Sequence, residues 1–353
     1  GAPVSANYDH DVYRRFADVR LVMADRADIE RAHEDTEALV EHLARRAGTP
    51  DLDRLSHHLR RMPRLPLFEG ISDAPLELVE LFQVKKFLAN YRRVLDLLDP
   101  ALIDRFGLRF ASTDLAAALD EGGTDPESFF VADAMHPGLR SIRADVAAKA
   151  AELRSERAEA RERARVELGL DFGAREFLVV PNDVARAVLA ARSPAVLVAV
   201  EAHDSISCVV RLQDGEAALL LAEQLDALLA RERELESEVL ARLSRLVEAE
   251  HERLQRYARA VCALDLARAR ALLARDLAMT RPRFGSSTLA VRSGRYLPCQ
   301  WDCSRLGLEY TPLDLELTES AAVLFGSNMG GKTVALQTLV FLQITAQAGL
   351  FVP

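Results

Sequence analysis

"SAAVLFGSNMGGKTVALQTLVFLQITAQAGLFVP", Ser320 to Pro353, is the stretch on which the fold class turns. Within it, Gly326-Ser327-Asn328-Met329-Gly330-Gly331-Lys332-Thr333 fits GxxxxGK[ST] at every fixed place. The glycines let successive backbone N–H groups turn toward one anion. Lys332 then reaches the outer phosphates of a nucleotide, and the Thr333 hydroxyl is placed to ligate Mg²⁺. The apolar run Ala321 to Phe325 reads as a buried parallel strand, and Thr333 to Ala348 as an unbroken helix whose positive end faces the phosphates. Strand, glycine turn and helix together are the opening of an α/β P-loop domain that binds ATP with Mg²⁺. Asn328 could bond nucleotide or steady the turn, and Met329 could equally be a packing residue.

Upstream the periodicity changes. Residues 8 to about 121 read as consecutive helices, with apolar positions three and four apart in "VYRRFADVRLVMADRADI", "TEALVEHLARRA" and "LELVELFQVKKFLANYRRVLDLL". Gly48-Thr49-Pro50, Pro63 to Pro66, Pro75 and Glu121-Gly122-Gly123 break them. Adjacent His57 and His58 point in different directions on a helix, which favours solvated surface over a metal site. From Pro137 to Leu168, Arg/Glu pairs surround a thin stripe of Leu139, Ile142, Val146 and Leu153. Such a helix touches one partner at most. The partner is the stretch from Glu216 to Met279, where Leu221, Leu225, Leu228, Leu235, Val239, Leu246, Leu254, Tyr257, Val261 and Leu264 recur without Gly or Pro, as one helix. Between the two, "REFLVV", "AVLVAV" and "SISCVVRL" read as short strands parted by Pro181 and by His203-Asp204.

The expected architecture is multidomain and mainly α. Residues 1–136 form a helical core, 137–172 an outgoing helix, 173–213 a small β-containing tip, 214–279 a returning helix, and 280–353 the start of the P-loop domain.

The chain has 353 residues, 49% of them hydrophobic, and a net charge of −9. That charge gives no overall pull toward nucleic acid, although a local basic face is compatible with it. Neither a membrane span of roughly 18 apolar residues nor a secretory pattern at the first residues is present, so no membrane partner is expected and the cytoplasm is the expected compartment. Cys208, Cys262, Cys299 and Cys303 are too few for a disulfide scaffold. Only Cys299 and Cys303 lie close, and without a second Cys/His pair they read as reduced thiols. Arg greatly outnumbers Lys, which occurs only at Lys85, Lys86, Lys149 and Lys332.

"GSNMGGKTVALQTLVFLQITAQAGLFVP" resembles the phosphate loop and following helix of the MutS family of ATPases. Asn328 to Thr333, Ala346-Gln347, Gly349 and Phe351-Val352-Pro353 carry the likeness. "YTPLDLEL", "ALDLARARALLARDLAMTRPRF" and "MHPGLRSIR" resemble family segments before the loop, between lever and ATPase, and at the start of the outgoing lever. The resemblance implies that the helix pair is a lever and its β tip a clamp, in an ATP-gated DNA-binding clamp of DNA repair or recombination control.

It further implies a homodimer or a partner ATPase subunit, with double-stranded DNA as client. Arg175, Arg186, Arg192 and Arg211 are the candidates for phosphate contact, each alternatively a solvated charge. A protein client that the ATPase remodels is the other reading. Tyr310 stands near the aromatic that packs on adenine in the family, or is an ordinary strand-edge aromatic. Ser327 and Tyr296 stand where the family usually has Pro and His. Lys332-Thr333-Val334 resembles the branch lacking a mismatch-reading domain, and Phe68-Glu69 is adjacent rather than spaced as a Phe-x-Glu wedge. No catalytic residue is assigned in this chain. The acidic strand and signature loop that ATP hydrolysis needs are expected either in a continuation past Pro353 or on a second polypeptide, and the unpaired edge of a split parallel sheet favours the continuation.

Overall fold

The computed structural model describes residues 23, 25–63, 65, 75–123, 125, 127–191, 196–285, 288–319, 322–325 and 331–353. The fold is mainly helical: among the described residues there are eleven α-helices and two small antiparallel sheets. None of these helices is long and apolar enough to cross a membrane. The chain divides into two compact units, one of 1–71, 79–118 and 246–353, the other of 72–78 and 119–245.

In the first unit, α1 (Arg26–Arg45) begins at Asp25, whose carboxylate accepts from the Ala27 N–H at 2.8 Å. Such a cap satisfies an amide that has no partner within the helix. Its inward face repeats at three and four residues: Ile29, Ala32, Thr36, Leu39 and Leu43 are all buried. Gly48, at φ +80°, turns the chain toward α2 (Asp51–Arg60). On α3 (Leu78–Leu97), Leu81, Val84, Leu88, Tyr91 and Val94 form the buried stripe. Two short helices follow, α4 (Pro100–Arg105) and α5 (Thr113–Asp120). His57 is exposed, whereas His58 is half-buried with Nδ1 3.0 Å from Asn90 Oδ1.

The second unit holds α6 (Leu139–Leu168), β1 (Phe177–Pro181), α7 (Asn182–Ala191), β2 (Val198–Ala202), β3 (Ser207–Leu212) and most of α8 (Glu216–Ala249). Gly169 ends α6 at φ +68°, the left-handed geometry glycine adopts without Cβ strain. The sheet order is β1-β3-β2, with Val180 opposite Cys208 and Val200 opposite Val210. Its inner face packs Val180 and Val210 with Ala185 and Val188 of α7, and with Ala164, Leu170 and Phe172. Asp204 Oδ1 accepts from Ile206 and Ser207 N–H at 2.8 and 2.7 Å, closing the β2–β3 turn.

Two expectations are corrected. The stretch from Glu216 to Met279 is not one helix, because α8 stops at Ala249 and α9 runs from His251 to Asp276. Glu250, at φ −95° and ψ 1°, lies between them, and its carboxylate is held by Ser112 Oγ at 2.8 Å and by Arg253. Local periodicity carries no information about such an anchor from a distant segment. The second correction concerns Ala321 to Phe325. Residues 322–325 form no strand, and Val323 and Phe325 are 86% and 89% exposed. A buried parallel strand exists only between neighbours, and no described strand pairs with this run.

Within the first unit, α9 packs along α1, and Ala267, Ala271 and Ala274 are among the buried residues of α9. Beyond α9, β4 (Leu289–Gly294) pairs antiparallel with β5 (Leu313–Leu317), flanking α10 (Leu297–Leu306). Then comes α11 (Lys332–Gln347).

Candidate functional site

The glycine motif reaches the described residues at its last three positions. Gly331 is the residue before the first turn of α11, at φ +74°. No side chain caps this helix, and a Cβ built on Gly331 would meet nothing within 4 Å. The first turn of a helix leaves amides without an intrahelical partner, an arrangement suited to an anion. Lys332 is half-buried and Thr333 exposed, side by side in the first turn. Gly326, Ser327, Asn328, Met329 and Gly330 lie outside the described residues.

Behind this end the helix is seated from one side. Tyr296 meets the Phe341 ring edge-on at 5.5 Å, and Gly294 lies under Leu342, whose Cδ1 would stand 3.0 Å from any added Cβ. Thr338 and Thr345, both buried, return their hydroxyls to Val334 and Phe341 carbonyls at 2.7 and 2.6 Å. The opposite side, with Leu336, Val340 and Ile344, is exposed. Tyr310 is half-buried and its hydroxyl accepts from the Tyr296 N–H at 2.8 Å, so the ring serves the turn into α10. No group of three or more potential metal ligands exists among the described residues. Cys299 and Cys303 share a face of α10, and burial, then Cys303, pushes the Cys299 thiol up.

Of the arginines proposed for nucleic acid, Arg211 and Arg186 stand on opposite sides of the three-stranded sheet. Arg211 is exposed on β3, opposite Phe177 in the register, with its guanidinium 5.1 Å from the Phe177 ring centre. Alternation along the strands puts Arg211, Phe177, Val179 and Val209 on the outer sheet face, away from Val180 and Val210. Glu201 is on that outer face too, opposite Val209. Arg186 is exposed on α7, the helix that covers the inner face. Arg175 is exposed just before β1, its N–H bonded to the Phe172 carbonyl at 2.8 Å. Arg192 lies outside the described residues.

Sequence reading passed over Arg143 of α6. Its guanidinium donates to Glu232 at 2.8 Å and Glu236 at 2.6 Å on α8, and to Asp133 at 2.7 Å and the Val131 carbonyl at 2.9 Å. The hydrogen bond it donates to Glu232 is the largest influence holding this arginine protonated. Its position inside "MHPGLRSIR" was the available signal, but the three carboxylates come from elsewhere in the chain.

No protein-family model matches the chain. It is 28% identical over 357 residues to the DNA mismatch repair protein MutS of Natronomonas pharaonis, an alignment covering 97% of this chain and 38% of that protein. It is 33% identical over 178 residues to the Endonuclease MutS2 of Thermus thermophilus, covering 50% of this chain and 22% of the relative. A third likeness, to the Endonuclease MutS2 of Thermomicrobium roseum, is 38% over 132 residues, covering 35% of this chain and 16% of the relative. The chain thus spans well under half the length of each of these relatives.

Proposed function

We propose that this chain, which is MutS-related, is the nucleotide-binding and lever part of an ATP-gated DNA clamp acting in DNA repair or recombination control. The observation that carries the proposal is the start of α11 at left-handed Gly331, where no side chain caps the helix, at the end of a complete GxxxxGKT pattern. In this reading the glycine pattern supplies backbone N–H groups to the phosphates, Lys332 would hold the outer ones by charge, and Thr333 would offer its hydroxyl to Mg²⁺. Bound ATP contributes the negative charge that organises these groups and the free energy released on its hydrolysis.

Replacing Lys332 by Ala removes a charge-assisted contact, and an affinity loss of about 10- to 100-fold for Mg-ATP is expected in a fluorescent-nucleotide titration. Equal affinity in K332A and the unaltered chain would refute the phosphate reading.

On the β tip, the Phe177–Arg211 pair supplies a flat cationic ledge suited to a sugar–phosphate backbone. Binding to duplex should weaken steeply with salt, and Arg211→Ala should lower the logarithmic salt slope by about one. Mismatched, branched and perfect duplexes, each with and without ATP, separate repair from recombination preferences. A protein client is the second reading, favoured by the net charge of −9 and by Glu201 beside Arg211 on the tip face. A stable complex with a protein and no duplex binding at low salt would select it.

A further inference from the structure

Two non-glycine residues have positive φ among the described residues, Ala278 at 47° and Ser293 at 53°. Left-handed backbone is costly for residues with a Cβ and persists where surrounding contacts hold it, commonly at sites that switch. These two residues belong to one junction. Ala278 follows the last turn of α9. Ser293 lies in the bulge of β4, between Val291 and Gly294, where its N–H donates to Asp314 Oδ1 at 2.6 Å.

Arg295 ties the junction together. Its guanidinium donates to the Leu277 carbonyl and, at 2.9 Å, to that of Ala278, which places a cation on the negative end of α9. Its own N–H donates to the Pro353 carbonyl at 3.2 Å. Alongside, Thr280 and Val352 exchange N–H···O bonds, both at 2.8 Å. The segment 350–353 that receives these bonds leaves α11 through Gly349, at φ +72°. The residues flanking Arg295 grip α11 directly, Gly294 beneath Leu342 and Tyr296 against Phe341. The end of α9 is thus linked to α11 by these backbone bonds and the Arg295 guanidinium, while further back on α9 Arg270 donates to the Ala348 carbonyl at 3.5 Å.

We propose that Arg295 is the pin of a joint through which occupancy at the Lys332 end of α11 is passed to the C-terminal turn of α9. The inference rests on the nucleotide reading above. A helix of 16 residues is about 24 Å long and moves as a rod, so a small displacement of its first turn appears at its far end. There the bonds to Val352 and Pro353 deliver it to Thr280 and Arg295. The left-handed backbones of Ala278 and Ser293 give the joint a second, relaxed geometry to which it can move when the guanidinium shifts. Arg295 is a positioning residue and touches no nucleotide.

The test is amide hydrogen exchange of the whole chain with and without saturating Mg-ATP, read at Ala278, Met279 and Thr280, beside nucleotide affinity. Occupancy is expected to slow exchange there by roughly tenfold, the change given by firming one hydrogen bond of ordinary strength. Arg295→Met should keep affinity within about threefold and lose that slowing, while Arg295→Lys, which retains a donor for the carbonyls, restores part of it. Ser293→Gly frees the bulge without deleting any side-chain contact of Arg295, and it should lose at least half the response, so it decides the matter if Arg295→Met does not fold. An undiminished response in both variants overturns the joint alone. Failure of the unaltered chain to bind nucleotide overturns the phosphate reading and the joint with it.

Discussion

Replacing Arg143 by Met keeps most of the aliphatic stem and removes the charge that α6 offers to α8. Three carboxylates and one carbonyl lose their donor, and Asp133, Glu232 and Glu236 are left close together without a counter-ion. Arg143 is 29% exposed and Glu232 19%, so each bond is worth less than a buried charged pair and more than a surface one. Taking about 1 kcal/mol for each of the three charged bonds gives a loss of about 3 kcal/mol. Urea unfolding followed by circular dichroism at 222 nm reads it, since α6 and α8 contribute 30 and 34 helical residues. In a Glu232→Gln, Glu236→Gln background the same replacement should cost only about 1 kcal/mol, because two of the stranded charges are already gone. A loss under about 0.5 kcal/mol in the unaltered background, or an equal loss in both, would refute the argument.

Two further outcomes follow from the first unit. His42 Nδ1 at 2.9 Å, then Arg45 and Arg46, hold the Asp99 carboxyl well below the usual carboxylate range. A depressed folded-state value means stability present above the unfolded value of about 3.9 and lost as pH falls below it, so Asp99→Asn should flatten the acid limb of a melting profile. If D99N leaves that limb unchanged, the network is not contributing. Tyr257→Phe strands the Ala111 N–H, which donates to Tyr257 Oη at 2.7 Å, and should lower stability by about 1–2 kcal/mol in the same urea assay. A neutral result would mean that water replaces the phenol.

What could be read in advance was local. The helical stripes of α1, α3 and α6 follow from three- and four-residue spacing, and the tip strands fall within about three residues of their expected places because alternation of β-branched residues fixes them. The helix α7 went unread because "NDVARAVLAA" follows directly on a strand ending at Pro181, which sequence alone presents as a break. At the candidate site, the helix that starts beside left-handed Gly331 was legible from the glycine turn and the unbroken helical run after it. Arg143 and Arg295 were not, since their partners are carboxylates and carbonyls from separate stretches. Glu250 broke a periodic run for the same reason: Ser112 holds it from far upstream.

The buried alanines of α9 have a mechanical corollary. A methyl group has no torsion to turn, so Ala267, Ala271 and Ala274 cannot take up a push by changing rotamer. Leucines there would yield like springs. Alanines keep their part of α9 unyielding, so slack in this helix must be found at its ends rather than along its length.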